Sequence, residues 1–383
     1  MTAAQVVEAL HRTLPGTMGT AFEDVAGIVA VDPITVRIAL RRPSQFIVEA
    51  LETSIQKPGS QDVGTGAYIA SGRGASVTLR ANAGYYLGRP AIDQIVVTSY
   101  PTVRAAWAEL LRGNVDMLNE VNLDALDSLQ ESSNVGVFSF IRHYQYMIVF
   151  GSRAANLRSP EVRRELSAAI DREAIVRDAM NGHGVASFGP VPPQHWTMNG
   201  IPITTASKQL ATNLAARHLK FRCLVPADAV YERVALAVKR QLAAVSVEME
   251  LEEASQEDVV RAAEMDTFDA LLGDIISGPT LYRSYRHWYS KTNFIPRPLG
   301  SVAIDAALDR IRHARSDEEY RQGVGAFQRA NDEDPPALFL AWGERARAVS
   351  RRFSVTATDK NADVLDSIRL WRPLIGRQTT GTN

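Results

Sequence analysis

The sequence predicts an α/β protein built from two lobes. Two strand–helix–strand patterns are separated along the chain, one at residues 92–118 and the other at residues 219–272. A helix that crosses between two strands is typical of a parallel sheet with helices on its faces. Because extended segments join the two patterns, we expect two lobes with a cleft between them, a common place for a small-molecule site.

The composition is that of an ordinary globular protein. The chain has 383 residues, 45% of them hydrophobic and 22% charged, and at roughly 150 residues per domain this length predicts two or three domains. A net charge of −1 gives no overall basic field that would attract nucleic acid or anionic lipid. No apolar run approaches the ~18 residues of a transmembrane helix. The single cysteine, Cys223, cannot form an internal disulfide, and we expect it to be a small buried hydrophobe.

The first elements are a helix and a hairpin. Thr2 is predicted to cap a helix whose apolar residues follow at helical spacing, and residues 1–8 show no basic or apolar region of a signal peptide. Residues 28–40 alternate around the turn pair Asp32-Pro33, which predicts a hairpin. The Gly-x-Gly at residues 64–66 is not followed by Lys-Ser/Thr, so we expect a tight bend rather than a phosphate loop.

The first α/β pattern begins with β-branched residues 95–98. An apolar helical stripe follows over residues 103–111 and ends at Gly113, and residues 115–118 return as a short strand. This crossover predicts a parallel sheet in the first lobe. A long extended run at 137–150 then leads into the rest of the chain.

The second half repeats the α/β pattern. Ser159 and Asp171 are predicted to cap two successive helices, and a loop rich in Gly and Pro follows Gly182. Residues 219–272 contain alternating strands and an amphipathic helix, which again predicts a parallel sheet. The last predicted elements are a helix that begins at Ser316, a strand at 337–340 and a closing segment at 360–374.

No catalytic motif is present in the sequence, and the seven histidines lie far apart without metal-ligand spacing, so we expect no enzymatic activity and no cofactor. Residues 274–294 combine aromatic rings and cations beside a Gly-Pro turn. Two interpretations are open for this segment. It is either an amphipathic surface helix with partly buried rings or a ligand-binding wall in which flat rings supply contact area.

Ordered landmarks along the chain resemble one family, the bacterial solute-binding proteins of family 5, which serve ABC importers of dipeptides, oligopeptides and nickel. The landmarks and the family patterns they resemble are residues 2–7 (T-A-x-D-V-V), 63–68 (V-G-T-G-P-Y), 81–93 (A-N-x-x-Y-W-x-G-x-P-x-x-D), 111–116 (L-x-x-G-E-V-D) and 162–172 (V-R-x-A-L-S-x-A-I-D-R), followed by 189–192, 241–247 and 268–270.

This resemblance implies a two-lobed, type II periplasmic-binding-protein-like fold whose lobes are joined by crossing strands. It implies capture of a peptide-like or other small solute between the lobes and delivery to a membrane permease, at the periplasmic or extracellular face of the cytoplasmic membrane, by a monomer that binds no nucleic acid. The stretch that usually precedes the first landmark is absent, so the chain is expected to be N-terminally truncated and its first lobe incomplete. Residues 1–140 and 351–383 are predicted to form lobe I, and residues 141–350 lobe II.

The predicted ligand wall follows from the extended run, the Gly/Pro loop and the aromatic segment. Its members are Tyr144, Tyr146, Phe188, Asp274, Ser277, Tyr282, Tyr285 and Trp288. Arg283 or Arg286 is a candidate for holding a carboxylate or phosphate. Gly278-Pro279 stands where peptide binders of the family carry Asp-Pro, which leaves Asp274 as the nearest acid. The alternative function is the ligand-sensing domain of a transcriptional regulator or signalling protein.

Overall fold

A computed structural model describes most of the chain. The described residues are 1–56, 64–72, 74–121, 123–200, 212–276, 278, 280–292, 294–297, 299–356 and 363–374. Contacts divide the chain into two compact units. The first unit consists of Met1–Gln61 and His143–Gly343, and the second consists of Asp62–Arg142 and Glu344–Asn383.

Strands and helices alternate over much of the chain. The strands are β1 Val25–Asp32, β2 Thr35–Leu40, β3 Tyr68–Ser71, β4 Ser76–Ala81, β5 Gln94–Thr98, β6 Met117–Leu118, β7 Val135–Phe150, β8 Gly184–Ala186, β9 Lys220–Pro226, β10 Glu248–Ala254, β11 Ala270–Ile276, β12 Ala337–Ser350, β13 Phe353–Ser354 and β14 Arg372–Pro373. The α-helices are α1 Ala3–Met18, α2 Ile47–Ala50, α3 Val103–Arg112, α4 Leu123–Gln130, α5 Pro160–Ala168, α6 Arg172–Ala179, α7 Ala229–Ala243, α8 Gln256–Met265, α9 Tyr282–Trp288, α10 Val302–Arg312 and α11 Asp317–Glu333. The long strands β7 and β12 each run from one unit into the other.

The first unit contains a mixed sheet in the order β10-β9-β11-β7-β12, with β8 paired to β12. Strand β9 is parallel to β10 and to β11, and β11 is antiparallel to β7. The parallel pairing predicted for residues 219–272 is therefore confirmed, and Cys223 is fully buried on β9 as expected. Because β9 and β11 run in the same direction, their carboxyl ends lie at one edge of the sheet, where ligands of α/β proteins commonly bind.

Helix α1 packs into the core of the first unit. Thr2 accepts a hydrogen bond from the backbone N–H of Gln5, and the Gln5 side chain accepts one from the backbone N–H of Thr2, so the predicted helix start is confirmed. Leu14 and Met18 are buried in the same apolar cluster as residues of α9, α10 and α11. This packing places residues 1–61 with 143–343, which differs from the lobe division expected from the sequence, where all of 1–140 lay together.

The second unit contains a three-stranded antiparallel sheet, β3-β4-β5, and the short strand β6 paired with the end of β12. The strand, helix and strand predicted over residues 95–118 are present as β5, α3 and β6, but their predicted parallel arrangement is wrong. Strand β5 is antiparallel to β4, and β6 is antiparallel to β12 through the pair Leu118 and Ala348. Near the end of the chain, Val364 and Trp371 pack in a cluster with Val349 of β12.

Candidate functional site

A cavity of about 500 Å³ lies in the first unit at the carboxyl ends of β9 and β11. Its lining combines apolar side chains from α8 and β11 with charged and hydroxyl groups from α2, α7 and α9. Its polar members include Glu49, Glu52, Tyr231, Asp274, Tyr282, Arg283 and Arg286. Such a volume and such a mixture of surfaces are usual for small-molecule sites.

Asp274 stands on β11 with two tyrosines around it. In the strand register it lies opposite Tyr146 of β7. The hydroxyl of Tyr231, from the first turn of α7, donates a hydrogen bond to Oδ1 of Asp274, and the Tyr231 ring packs against Tyr146 with ring centres 5.3 Å apart. Of these three residues, Tyr231 and Asp274 line the cavity, whereas Tyr146 is buried and does not.

Glu49 forms the centre of a second polar group on the cavity wall. Its side chain is only 2% exposed, and it accepts hydrogen bonds from the backbone N–H of Thr280, at 3.0 Å, and from the Thr280 hydroxyl. Nε of Arg283 lies 3.3 Å from Oε1 of Glu49, and Nη2 of Arg283 lies 3.4 Å from Oε2 of Glu52. Burial raises the pKa of Glu49 above its ordinary value, against the lowering effect of Thr280 and Arg283.

The third polar group of the cavity is centred on Arg286. Its guanidinium carbon lies 5.9 Å from the centre of the Tyr282 ring and 5.4 Å from that of Phe294. The Tyr282 hydroxyl donates a hydrogen bond to the carbonyl of Thr17 at 2.5 Å, and burial raises the pKa of Tyr282 to about 12. The neighbouring His287 packs edge-on against Phe294, and burial together with the two arginines lowers its pKa to about 3, so its ring is neutral at neutral pH.

Phe188 lines a different cavity of about 490 Å³ in the same unit, beside Trp342 and the Gly/Pro loop. The guanidinium of Arg172 lies 5.3 Å from the Phe188 ring centre. The structure therefore does not bring Phe188 together with Asp274 and Tyr282, because the loop carries it toward α6 and β8.

Two residues of the predicted wall belong to the core instead. Tyr285 is 2% exposed and hydrogen bonds to Thr20 and to Arg312, while Trp288 is 3% exposed and packs edge-on against Phe339. Neither lines the two cavities described above. The reason is that the short helix α9 packs its aromatic side chains, Tyr282 included, into the apolar cluster of the first unit.

The remaining predicted residues lie elsewhere. Tyr144 is half-buried on β7, opposite Ile276 of β11. Ser277 lies outside the described residues. The sequence reasoning missed Tyr231 and Glu49. A signal for Tyr231 is present, since it lies in the first turn of the helix that follows β9, whereas nothing local marks Glu49 as a buried acid.

Neither a membrane-spanning helix nor a metal-binding cluster is present among the described residues. No helix among them has the length and apolarity needed to cross a membrane. Across the same part of the chain, no group of three or more His, Cys, Asp or Glu side chains is arranged to hold a metal ion.

Comparison with known proteins identifies relatives in sequence. The haem-binding protein A of Haemophilus influenzae is 24% identical over 197 residues, which are 46% of this chain and 36% of that protein. The oligopeptide-binding protein AppA of Bacillus subtilis is 27% identical over 124 residues, which are 32% of this chain and 23% of AppA. The matches therefore cover well under half the length of these two relatives.

Solved structures match over nearly the whole chain. AppA of B. subtilis in complex with a nonapeptide has a TM-score of 0.83 at 18% identity, covering 98% of this chain and 84% of that one. NikZ of Campylobacter jejuni in complex with Ni(L-His) has a TM-score of 0.82 at 19% identity, covering 97% and 84%. This likeness shows that the fold is that of the type II periplasmic binding proteins, as the sequence predicted.

The family itself is shown by a pattern that spans most of the chain. The sequence pattern described as "Bacterial extracellular solute-binding proteins, family 5 Middle" matches residues 1–295. It covers the landmarks noted in the sequence from residue 2 to residue 270, together with the helices and strands that form the cavity. The chain belongs to the bacterial extracellular solute-binding proteins of family 5.

Proposed function

We propose that this protein is the substrate-binding component of an ABC-type importer, which captures a small solute and delivers it to a membrane permease. Family membership supports the class of function. The observation that supports the proposal for this chain is the cavity of about 500 Å³ at the carboxyl ends of β9 and β11, whose lining combines apolar side chains with a few polar groups.

The proposed ligand contacts are Asp274 and Tyr282 from the sequence prediction, joined by Tyr231 and Arg286. Two of these side chains are held in place by neighbouring residues. Tyr146 supports Tyr231, and the carbonyl of Thr17 anchors the Tyr282 hydroxyl. A site held in this way is pre-organised, so a ligand binds without first having to order the side chains that receive it.

In this proposal the protein breaks no bond of its ligand. Glu49 is held by hydrogen bonds from Thr280 and by its pair with Arg283, and Tyr282 stays protonated at neutral pH. The relatives are named as binding proteins for haem and for oligopeptides. We further propose that the protein works as a monomer, outside the cytoplasmic membrane, with a membrane permease as its partner.

A ligand screen tests the proposal. Purified protein is heated with peptides, sugars, opines and metal chelates, and a ligand present at a hundred times its dissociation constant should stabilise it by about 2.7 kcal/mol. A hit is then measured on Asp274→Asn and Tyr231→Phe. The matched control is Asp93→Asn, an exposed aspartate paired with Arg89 in the second unit.

We expect the hit to bind both cavity variants at least about tenfold more weakly, since each substitution alters a side chain that is proposed to hydrogen bond to the ligand. The control should bind like the parent. Two results would reject the proposal. One is a complete screen without any stabilising solute, and the other is catalytic turnover of a bound solute that a single cavity substitution abolishes.

A further inference from the structure

Two arginines of helix α9 line the cavity, and their surroundings differ. Arg283 lies within ion-pair distance of both Glu49 and Glu52. Its charge is therefore already balanced by two carboxylates of the protein. An arginine in this state helps to hold α2 against α9, and its guanidinium is not available to a ligand without breaking those pairs.

Arg286, one turn further along α9, has no carboxylate within ion-pair distance in the described part of the chain. Its guanidinium lies against two aromatic rings, those of Tyr282 and Phe294. Rings in contact with the face of a guanidinium leave the N–H groups at its edge available, and these five donors are arranged in a planar fork. A half-buried guanidinium with fixed orientation and no counter-ion is well placed to receive an anion.

The rest of the lining limits what that anion can be. Glu49, Glu52 and Asp274 face the same cavity, so a ligand that carries two or more negative charges is repelled. One guanidinium fork matches one carboxylate in shape and charge. Another part of the lining is apolar, with Val259, Val260 and Ala263 of α8, and burial there stabilises a hydrocarbon surface at about 25 cal/mol per Å².

We infer that this cavity binds a monocarboxylate with an apolar body, whose carboxylate is held by Arg286 while the body lies on the face of α8. The inference rests on the proposed function and narrows its ligand class. Tyr282 and Phe294 act as positioning residues, since their rings orient the guanidinium. Arg283 takes no direct part in recognition, because it remains bound to the two glutamates.

Calorimetric titration with matched probes tests this inference. The probes are octanoate and N-acetylphenylalanine, each compared with its uncharged amide, and octylamine as a cationic counterpart. We expect each carboxylate to bind at least about tenfold more tightly than its amide. In Arg286→Gln the carboxylates should bind about 10- to 100-fold more weakly, while affinity for the amides changes less than about twofold.

Two further variants keep the test independent of folding. Arg286→Lys keeps the charge without the fork, so the loss of carboxylate affinity should be intermediate. Arg261→Gln is the control, because Arg261 lies on the surface of α8 and pairs with Glu257 and Asp258. It should bind every probe like the parent, and thermal melts should show that all variants fold.

The outcomes separate this inference from the proposed function. If amides or octylamine bind as tightly as the carboxylates, or if Arg286→Gln weakens all probes equally, the carboxylate inference is overturned while solute binding stands. The same holds if only probes of other classes, such as sugars or metal chelates, bind the parent. If no solute of any charge binds the parent protein, the proposed function fails and the inference fails with it.

Discussion

Replacing Gly278 by alanine should destabilise the first unit by displacing a single carboxyl group. A Cβ atom added at Gly278 would lie 1.8 Å from Oε1 of Glu49 and 2.6 Å from its Cδ, and the three nearest atoms all belong to that carboxyl group. Separations this short do not occur between non-bonded atoms. The Glu49 side chain must therefore move, and it is nearly fully buried where it stands.

The cost follows from the contacts that the carboxylate would lose. Thr280 donates two hydrogen bonds to it, and Arg283 is paired with it at 3.3 Å. Hydrogen bonds to a charged group contribute about 1.5–3 kcal/mol each, and water recovers part of this when the group is displaced. We expect the free energy of unfolding to fall by about 2–4 kcal/mol in Gly278→Ala.

Urea unfolding of four proteins measures this effect as a double-mutant cycle: the parent, Gly278→Ala, Glu49→Ala and the double variant. Because Glu49→Ala removes the atoms that clash, adding Gly278→Ala to it should cost less than about 1 kcal/mol. Gly27→Ala is the control, since no atom lies within 4 Å of its added Cβ, and it should change stability by about 0.5 kcal/mol or less. Equal costs of Gly278→Ala with and without Glu49 would refute the reasoning.

Three further predictions concern stability and reactivity. Gly16→Ala, at an exposed position inside α1 with free space around its Cβ, should stabilise the protein by about 0.5–1 kcal/mol in urea unfolding, and a loss of stability would contradict this. Burial raises the pKa of Cys223 to about 12, so the folded protein should not react with a disulfide thiol reagent at about pH 8 until urea unfolds it, and fast labelling of the folded state would disprove this. Burial also raises the pKa of Glu49 above 4.5, so the folded state keeps this proton to higher pH than the unfolded chain. The contribution of Glu49 to stability therefore falls as pH rises from about 4.5 through its folded-state pKa. In Glu49→Gln this decrease should be absent when free energies of unfolding are compared between about pH 4.5 and 7.5. An unchanged pH dependence in Glu49→Gln would count against it.

The sheet of the first unit could be predicted from the sequence because its signal is local. Phe221, Cys223 and Val225 alternate along β9, and their buried face is visible in the residue order alone. A helix of the right length follows each parallel strand, so the direction of β9 and β10 is also set by nearby sequence. The alternation along β9 and the helix that follows each strand are both properties of one continuous stretch of sequence.

The strands that pair with β5 and with β6 could not be predicted in this way. The residues that pair with β6 are Ala348 and Val349, more than two hundred positions away in the chain. A β-branched run indicates a strand but carries no information on its neighbour. The same limit applies to α1, whose apolar stripe indicates a buried face but does not name the helices that Leu14 and Met18 contact.

Helix α9 shows why the candidate site was only partly predictable, and why its chemistry is specific. All three aromatic rings of its seven residues are buried, so the sequence alone could not separate Tyr282, which lines the cavity, from Tyr285 and Trp288, which do not. The same packing that buries those two rings fixes the helix, and with it the direction of both arginines. Arg283 pairs with Glu49 and Glu52, while Arg286 lies against the rings of Tyr282 and Phe294. The binding preference proposed here therefore depends less on which residue types α9 carries than on the acids that a distant part of the chain places beside one of them.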